Sequence, residues 1–288
     1  MRQPTRALAV LFALLTAVAV VTACGDEPAP PLLIGSADRA DLRAAAAVYA
    51  VALTRAGIPA TTEGGLVGPD SELVAATAAG ELELFPAYTG QLLSQLTAEP
   101  AAYGAEELQI EVSRSLPQGV AIGDPTGVSD RPQLLMAAQV RERFGVDAVS
   151  LCGRLPAGMP LVTVDGPPAA IVEAFASCHS GAVQRVSSPR EVVDRVADGQ
   201  ALGVLSALQI AALGDLGDVR TVPSDGPPRA QDLVPVYRSA ALDRAALKQL
   251  SRVAGELTTA DLARLAARVE RGEDPSAVAA DWLAGAVA

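Results

Sequence analysis

Aromatic residues are scarce in this chain of 288 residues: four tyrosines, four phenylalanines and one tryptophan make up 3% of it. Histidine occurs once, at position 179, and lysine once, at position 248. Each shortage weighs against a class of function. A Ser or Cys nucleophile needs a neighbouring base, and the lone His179 stands in no G-x-S-x-G or H-E-x-x-H motif. A phosphate-cradling glycine loop is also missing, so no catalytic residue and no cofactor is assigned and the chain does not read as an enzyme. Glu81 and Glu83 alternate along a short strand pattern and are expected to face solvent. Acidic residues outnumber basic ones, 33 to 22, and no basic stripe runs along the chain, which argues against nucleic acid as a partner. After the N-terminal segment no apolar run approaches the length of a membrane span.

What the N-terminus does contain is an address. Arg2 and Arg6 precede an apolar run from Ala7 to Val21, too short and wrongly flanked for a stable spanning helix. The run ends in Val21-Thr22-Ala23-Cys24, which resembles a bacterial lipobox. That resemblance implies a signal peptide over residues 1–23, acylation of Cys24 and attachment of the exported chain to the cell membrane by its N-terminal lipid. An ordinary secretory signal with a chance cysteine is the other reading. Residues 24–31, rich in proline, then form a stiff tether. Without Arg2 and Arg6, 20 basic residues face 33 acidic ones.

Cys152 and Cys178 remain as an even pair in an exported chain, which favours a disulfide. Such a bond would close a loop of roughly 25 residues and add about 3 kcal/mol. His179 beside Cys178 leaves a metal site as the rival, but no C-x-x-C spacing accompanies it and no metal ligand set is assigned.

Strand and helix patterns alternate from Leu32 onward. Leu32 to Gly35 reads as a strand, and Asp38 to Ala56 as an alanine-rich helix stopped by Gly57. Ala60 to Glu63 is a second strand pattern, and Ser71 to Ala79 a second helix. Leu82 to Phe85 follows as a strand, with Pro86 to Gly90 turning out of it. The alternation predicts a parallel sheet with helices packed on it. The unit Glu72 to Tyr88 recurs as Glu191 to Ala207: an acidic residue, a helix, a glycine eight positions on, then a short apolar strand. Two lobes on one plan are expected, with Tyr88 and Ala207 at matching rims. Beyond Tyr237 the chain reads as helices only, over Leu242–Leu257, Ala260–Val269 and Ser276–Ala284, with polar starts near Asp243, at Thr259 and at Asp274-Pro275.

Several segments carry a family resemblance. Gly80 to Gly90 (GELELFPAYTG) is similar to the GEIDLYPEYTG-type segment of the glycine betaine/choline-binding proteins of osmoprotectant ABC importers. Ile34-Gly35-Ser36, Gly123 to Gly127, Asp232 to Val236 and Thr258 to Trp282 resemble that family's opening strand, its path into the second lobe, its return strand and its closing segment. The resemblance implies an α/β, type II periplasmic-binding-protein fold. Its two α/β lobes are joined by two crossing strands near Ala121–Pro125 and Leu233–Tyr237, and a helical segment closes the chain. Residues 32–122 with 234–288 would form lobe I, and 123–233 lobe II. It also implies an extracytoplasmic binding subunit that hands a small solute to an ABC permease and its ATPase. The alternative is a diverged lipoprotein that keeps the fold as an interaction module without a transported ligand.

The family's quaternary ammonium ligands are held by several aromatic faces through cation–π attraction. This chain departs from that pattern. Tyr88 matches one cage tyrosine, whereas Pro132 stands where a second ring belongs. Ser206 to Leu208 and Gly226 to Gln231 offer no ring either, and Tyr49 and Tyr103 read as helix packing. Ligand contacts are therefore expected from Ser36, Tyr88, Thr89, Asp130, Arg131 and Asp232. The aspartates would meet a cation that carries N–H groups, and Arg131 would clamp a carboxylate. The rival reading of Asp130, Arg131 and Asp232 is a solvated rim.

Overall fold

The structure, a computed structural model, describes residues 30–164, 169–178, 181–224 and 226–285. The signal segment, Cys24, most of the tether and His179 lie outside the described residues. Among the described residues no helix is long and apolar enough to cross a membrane.

The first sheet begins with β1 (Leu32–Leu33) paired in parallel with β2 (Ala60–Thr61). Ile34 bridges Leu84 in parallel and so joins β1 to β3 (Leu84–Tyr88). The late strand β10 (Leu233–Arg238) lies between β3 and β4 (Val120–Ile122), antiparallel to both. Across the sheet the order is β2, β1, β3, β10, β4. The second sheet contains β5 (Pro132–Ala137), β6 (Leu161–Val164), β7 (Val183–Val186), β8 (Leu202–Ser206) and β9 (Val219–Val222), in the order β7, β6, β8, β5, β9. There too the first three strands are parallel, the fourth is reversed and the fifth returns to the first direction.

Helices α1 (Ala40–Arg55), α2 (Asp70–Ala79), α3 (Thr89–Leu96) and α4 (Ala105–Ser115) belong with the first sheet. With the second go α5 (Ala138–Phe144), α6 (Ala169–Ala174), α7 (Pro189–Ala197) and α8 (Ala207–Leu213). The chain closes with α9 (Arg244–Glu256), α10 (Thr259–Glu270) and α11 (Pro275–Gly285), which pack on α1. Helix α1 can be enclosed this way because alanine covers so much of its surface; Ala44 to Tyr49 are all essentially inaccessible.

The two repeated sequence units are α2 with β3 and α7 with β8. Helix α2 stops at Gly80, whose φ of 81° is the left-handed conformation that glycine takes without cost. In the second unit Gly203 of β8 lets α7 approach closely: a Cβ there would lie 2.7 Å from a Val192 methyl. The strands end in Tyr88 and Ser206, so the residue matching Tyr88 is Ser206 rather than Ala207, which opens α8 instead.

One expectation is corrected at Pro86. The chain does not turn there; β3 continues to Tyr88, and α3 starts at once with Thr89. Pro86 stands opposite Pro235 of β10. The neighbouring Thr89 N–H donates to the Asp232 carbonyl, so by alternation the two prolines occupy a pair site at which neither strand donates. A second correction is one residue wide: α10 is capped by Thr258, whose hydroxyl accepts from the Asp261 N–H, not by Thr259.

Cys152 and Cys178 are joined, with Cα atoms 4.5 Å apart. The bond ties the 3-10 turn Val149–Arg154 to the segment that follows α6, beside the buried Phe175. With both thiols engaged, neither is a metal ligand.

Candidate functional site

A cavity of about 820 Å³ opens beside the ends of β3 and β8, where sheets with helical crossovers place their binding crevices. Tyr88, Gln91 and Ser94 line it from the β3 side, and Asp130, Pro132 and Ser206 from the second sheet. The segment from Pro227 to Gln231 and residues of α6 complete its wall.

Tyr88 lies at the centre of a buried polar network. Its hydroxyl donates to Asp41 Oδ2 at 2.7 Å, and only 1% of the residue is exposed. Arg39, just before α1, holds both oxygens of Asp41, through Nε at 3.1 Å and Nη2 at 2.8 Å. The same Nη2 reaches Asp130 Oδ2 at 2.8 Å, 91 positions along the chain. The guanidinium carbon stands 5.1 Å from the centre of the Tyr88 ring, in cation–π range. Burial works against the Arg39 charge, but Asp41 and Asp130 outweigh it and hold the guanidinium firmly protonated. Tyr88 is pushed up mainly by burial and then by the two aspartates, so it stays a neutral donor.

Asp130 also joins the two sheets. Its Oδ1 accepts from the Leu208 N–H at the start of α8, its own N–H donates to the Gln231 carbonyl, and its Oδ2 accepts from Arg39. On the far side of this junction lies a second cavity of about 640 Å³, walled by α8 and α10; Arg39, Asp130 and Ser206 line both.

A second tyrosine–arginine pair faces the first cavity. Tyr103 lines it and is 39% exposed. The Arg229 guanidinium lies 4.6 Å from its ring centre, anchored by the carbonyls of Ala102 and Pro100. Tyr103 precedes α4 and reaches the cavity, which corrects its assignment as a helix packing residue. Tyr49 is buried within α1, as its pattern suggests.

The structure divides the expected contacts. Tyr88 and Asp130 line the cavity, but the Tyr88 ring is not open: Arg39 covers one face. Ser36, Thr89, Arg131 and Asp232 do not line it. Ser36 is buried against the Leu66–Gly68 loop, with its N–H donating to Leu66 and its carbonyl accepting from Gly68. The Thr89 hydroxyl accepts from the Asp232 N–H at 3.2 Å, lacing α3 to β10. Arg131 turns away to donate to the carbonyls of Pro228 and Gly226. Asp232 is raised by burial, against the opposing pull of Ser129 and Arg131.

Sequence reasoning missed Arg39, Asp41 and Arg229. The Arg39–Asp41 signal was present, as an R-x-D opening of an alanine-rich helix, but its partner Asp130 is distant in sequence. Asp70, first residue of α2, was also missed. It is buried with neither carboxylate oxygen hydrogen-bonded, and desolvation lifts its pKa to about 6 against the lowering field of Arg39.

Residues 207–285 match the family model described as the substrate binding domain of the ABC-type glycine betaine transport system. No curated protein matches the sequence. Among solved structures, one of a glycine betaine/carnitine/choline ABC transporter superposes with a TM-score of 0.69 at 13% identity, covering 88% of this chain and 98% of that one. Apo YehZ from Escherichia coli gives 0.67 at 18% identity, over 89% and 99%. Lactococcal OpuAC, closed on glycine betaine, gives 0.52 at 11% identity, over 88% and 95%. The chain therefore has the type II periplasmic-binding-protein fold, and its last third carries the sequence pattern of the glycine betaine ABC-transporter binding domain, as the resemblance implied.

Proposed function

We propose that this chain is the extracytoplasmic solute-binding subunit of an ABC importer, anchored to the cell membrane through lipidated Cys24. It binds one small polar solute in the 820 Å³ cavity and presents it to a permease driven by its ATPase. The lobes of this reading are residues 32–122 with 234–288, and 123–233. The observation that carries it is the cavity itself, walled by both sheets and large enough for a compatible solute or an amino acid.

The wall chemistry narrows the solute. Tyr88 and Tyr103 each have an arginine of the chain over one face, and Pro132 stands where the family has another ring. A quaternary ammonium group, which has no N–H to donate, has little to bind. A solute with its own N–H donors and a carboxylate can use the cavity's Gln91, Gln231 and Glu173 together with Arg229. One observation favours the ligandless interaction module instead: Arg39 already occupies the Tyr88 face.

A thermal-shift screen of compatible solutes and amino acids separates the two. A solute at a hundred times its Kd adds about 2.7 kcal/mol and raises Tm visibly. The expected result is a rise with a zwitterion bearing N–H groups and little change with glycine betaine or choline. Micromolar betaine binding contradicts the wall chemistry, and no shift with any compound leaves the interaction module as the function.

A further inference from the structure

A cation–π site lacking an external cation can be filled by one the chain supplies. Three observations converge on Arg39. Its guanidinium lies over Tyr88 at 5.1 Å; its Nε and Nη2 hold the Asp41 carboxylate that also receives the Tyr88 hydroxyl; and Nη2 spans to Asp130, which touches the first turn of α8. Asp41 and Asp130 are almost wholly enclosed, with 9% and 12% of their side chains exposed. Two buried carboxylates beside an aromatic face form a complete site for a small organic cation, and without Arg39 they would be left uncompensated.

We propose that Arg39 is an internal occupant of a latent cation site formed by Tyr88, Asp41 and Asp130, and that it sets specificity by excluding external organic cations. The side chain also acts as a latch. It comes from the residue before α1, and Asp130 belongs to the segment between β4 and β5, so one guanidinium joins the first sheet's helices to the second sheet. The latch needs no solute to close. The cavity beyond it, toward Tyr103 and Arg229, keeps its volume for the solute proposed above. This inference rests on that reading only for its biological meaning, because the cation site can be measured with no solute present.

The test is chemical rescue. Arg39→Ala removes the guanidinium and leaves both carboxylates and the ring. Methylguanidinium can restore the charge, the hydrogen bonds and the ring contact; tetramethylammonium can restore the charge and the ring contact alone. Thermal melts of native protein and Arg39→Ala are compared in either salt and in sodium chloride at equal ionic strength. The expected result is a lower Tm for Arg39→Ala, raised in saturable fashion by both organic cations and more by methylguanidinium, with affinity at least tenfold above that of native protein. Where Arg39→Ala does not fold, Arg39→Ala with Asp130→Asn removes the surplus negative charge yet keeps Asp41 and the ring. Refolding yield with and without the cation then reads the same equilibrium. Equal responses of native and variant protein, or no dependence on either cation, overturn the proposal. A native protein that binds no solute but whose variant is rescued leaves this inference standing and sinks the transport reading alone.

Discussion

In the first sheet the strand that reaches the cavity ends in Tyr88, and in the second the equivalent strand ends in Ser206. Around Tyr88 the chain gathers the half-buried Arg39, the buried Asp41 and, close by, the buried Asp70, whose carboxylate oxygens have no hydrogen-bond partner. Around Ser206 it builds a plain helix start, in which the hydroxyl accepts from the Gln209 N–H and Gln209 returns the bond. Apolar clusters cover both faces of either sheet, and the second adds the Cys152–Cys178 bond. Two units with one strand order thus divide the labour: the first carries concentrated charge at the site, and the second carries a covalent staple. Buried charge costs stability unless its partners are held in place, so a site of this kind requires a rigid second unit to keep Asp130 within reach of Arg39.

The largest expected effect breaks the staple. Replacing Cys152 and Cys178 together by Ala frees a loop of about 26 residues in the unfolded chain and should cost about 3.5 kcal/mol. Chemical denaturation of native and variant protein measures it. A loss under about 1 kcal/mol shows that the second unit is held by its apolar clusters alone.

The next effect relieves the first unit. Asp70 titrates near pH 6 in the fold against about 3.9 when unfolded. The unfolded chain gives up this proton more readily, so the group's stability is intact below about pH 4 and is lost as pH rises through 6. Asp70→Asn should therefore stabilise the protein by about 2–3 kcal/mol at pH 7.5 and by little at pH 4, as melts at both values will show. A variant less stable than native protein at pH 7.5 means that the Asp70 carboxylate is held by a partner in the fold.

Much of the fold was legible because helix spacing and short apolar runs are local signals. The α2–β3 and α7–β8 repeat, the three closing helices and the cysteine pair could all be read in sequence. Pro86 misled because a proline pair facing across a ladder cannot be seen from one strand. The site was legible only in part, for a related reason. Tyr88 and Asp130 stand in segments with a family pattern, whereas Arg39 matters through Asp130, 91 positions away. Tyr103 and Arg229 come together over a still longer span. Arg131 and Asp232 have suitable chemistry, but partners distant in sequence engage them outside the cavity: the Pro228 and Gly226 carbonyls for Arg131, and the Thr89 hydroxyl for the Asp232 N–H.

If the cavity beside Tyr88 takes a small solute, filling it with a bulky side chain must abolish binding. Ser94 lines that cavity from α3, and its hydroxyl donates to the Gly90 carbonyl. Calorimetry of native protein and Ser94→Trp, with the solute that most raises Tm, gives the answer. The expected result is one site per native chain and at least a tenfold loss in the variant, equal to about 1.4 kcal/mol or more, with the melting temperature of the unliganded variant little changed. Equal affinity in the two proteins would place the solute outside this cavity.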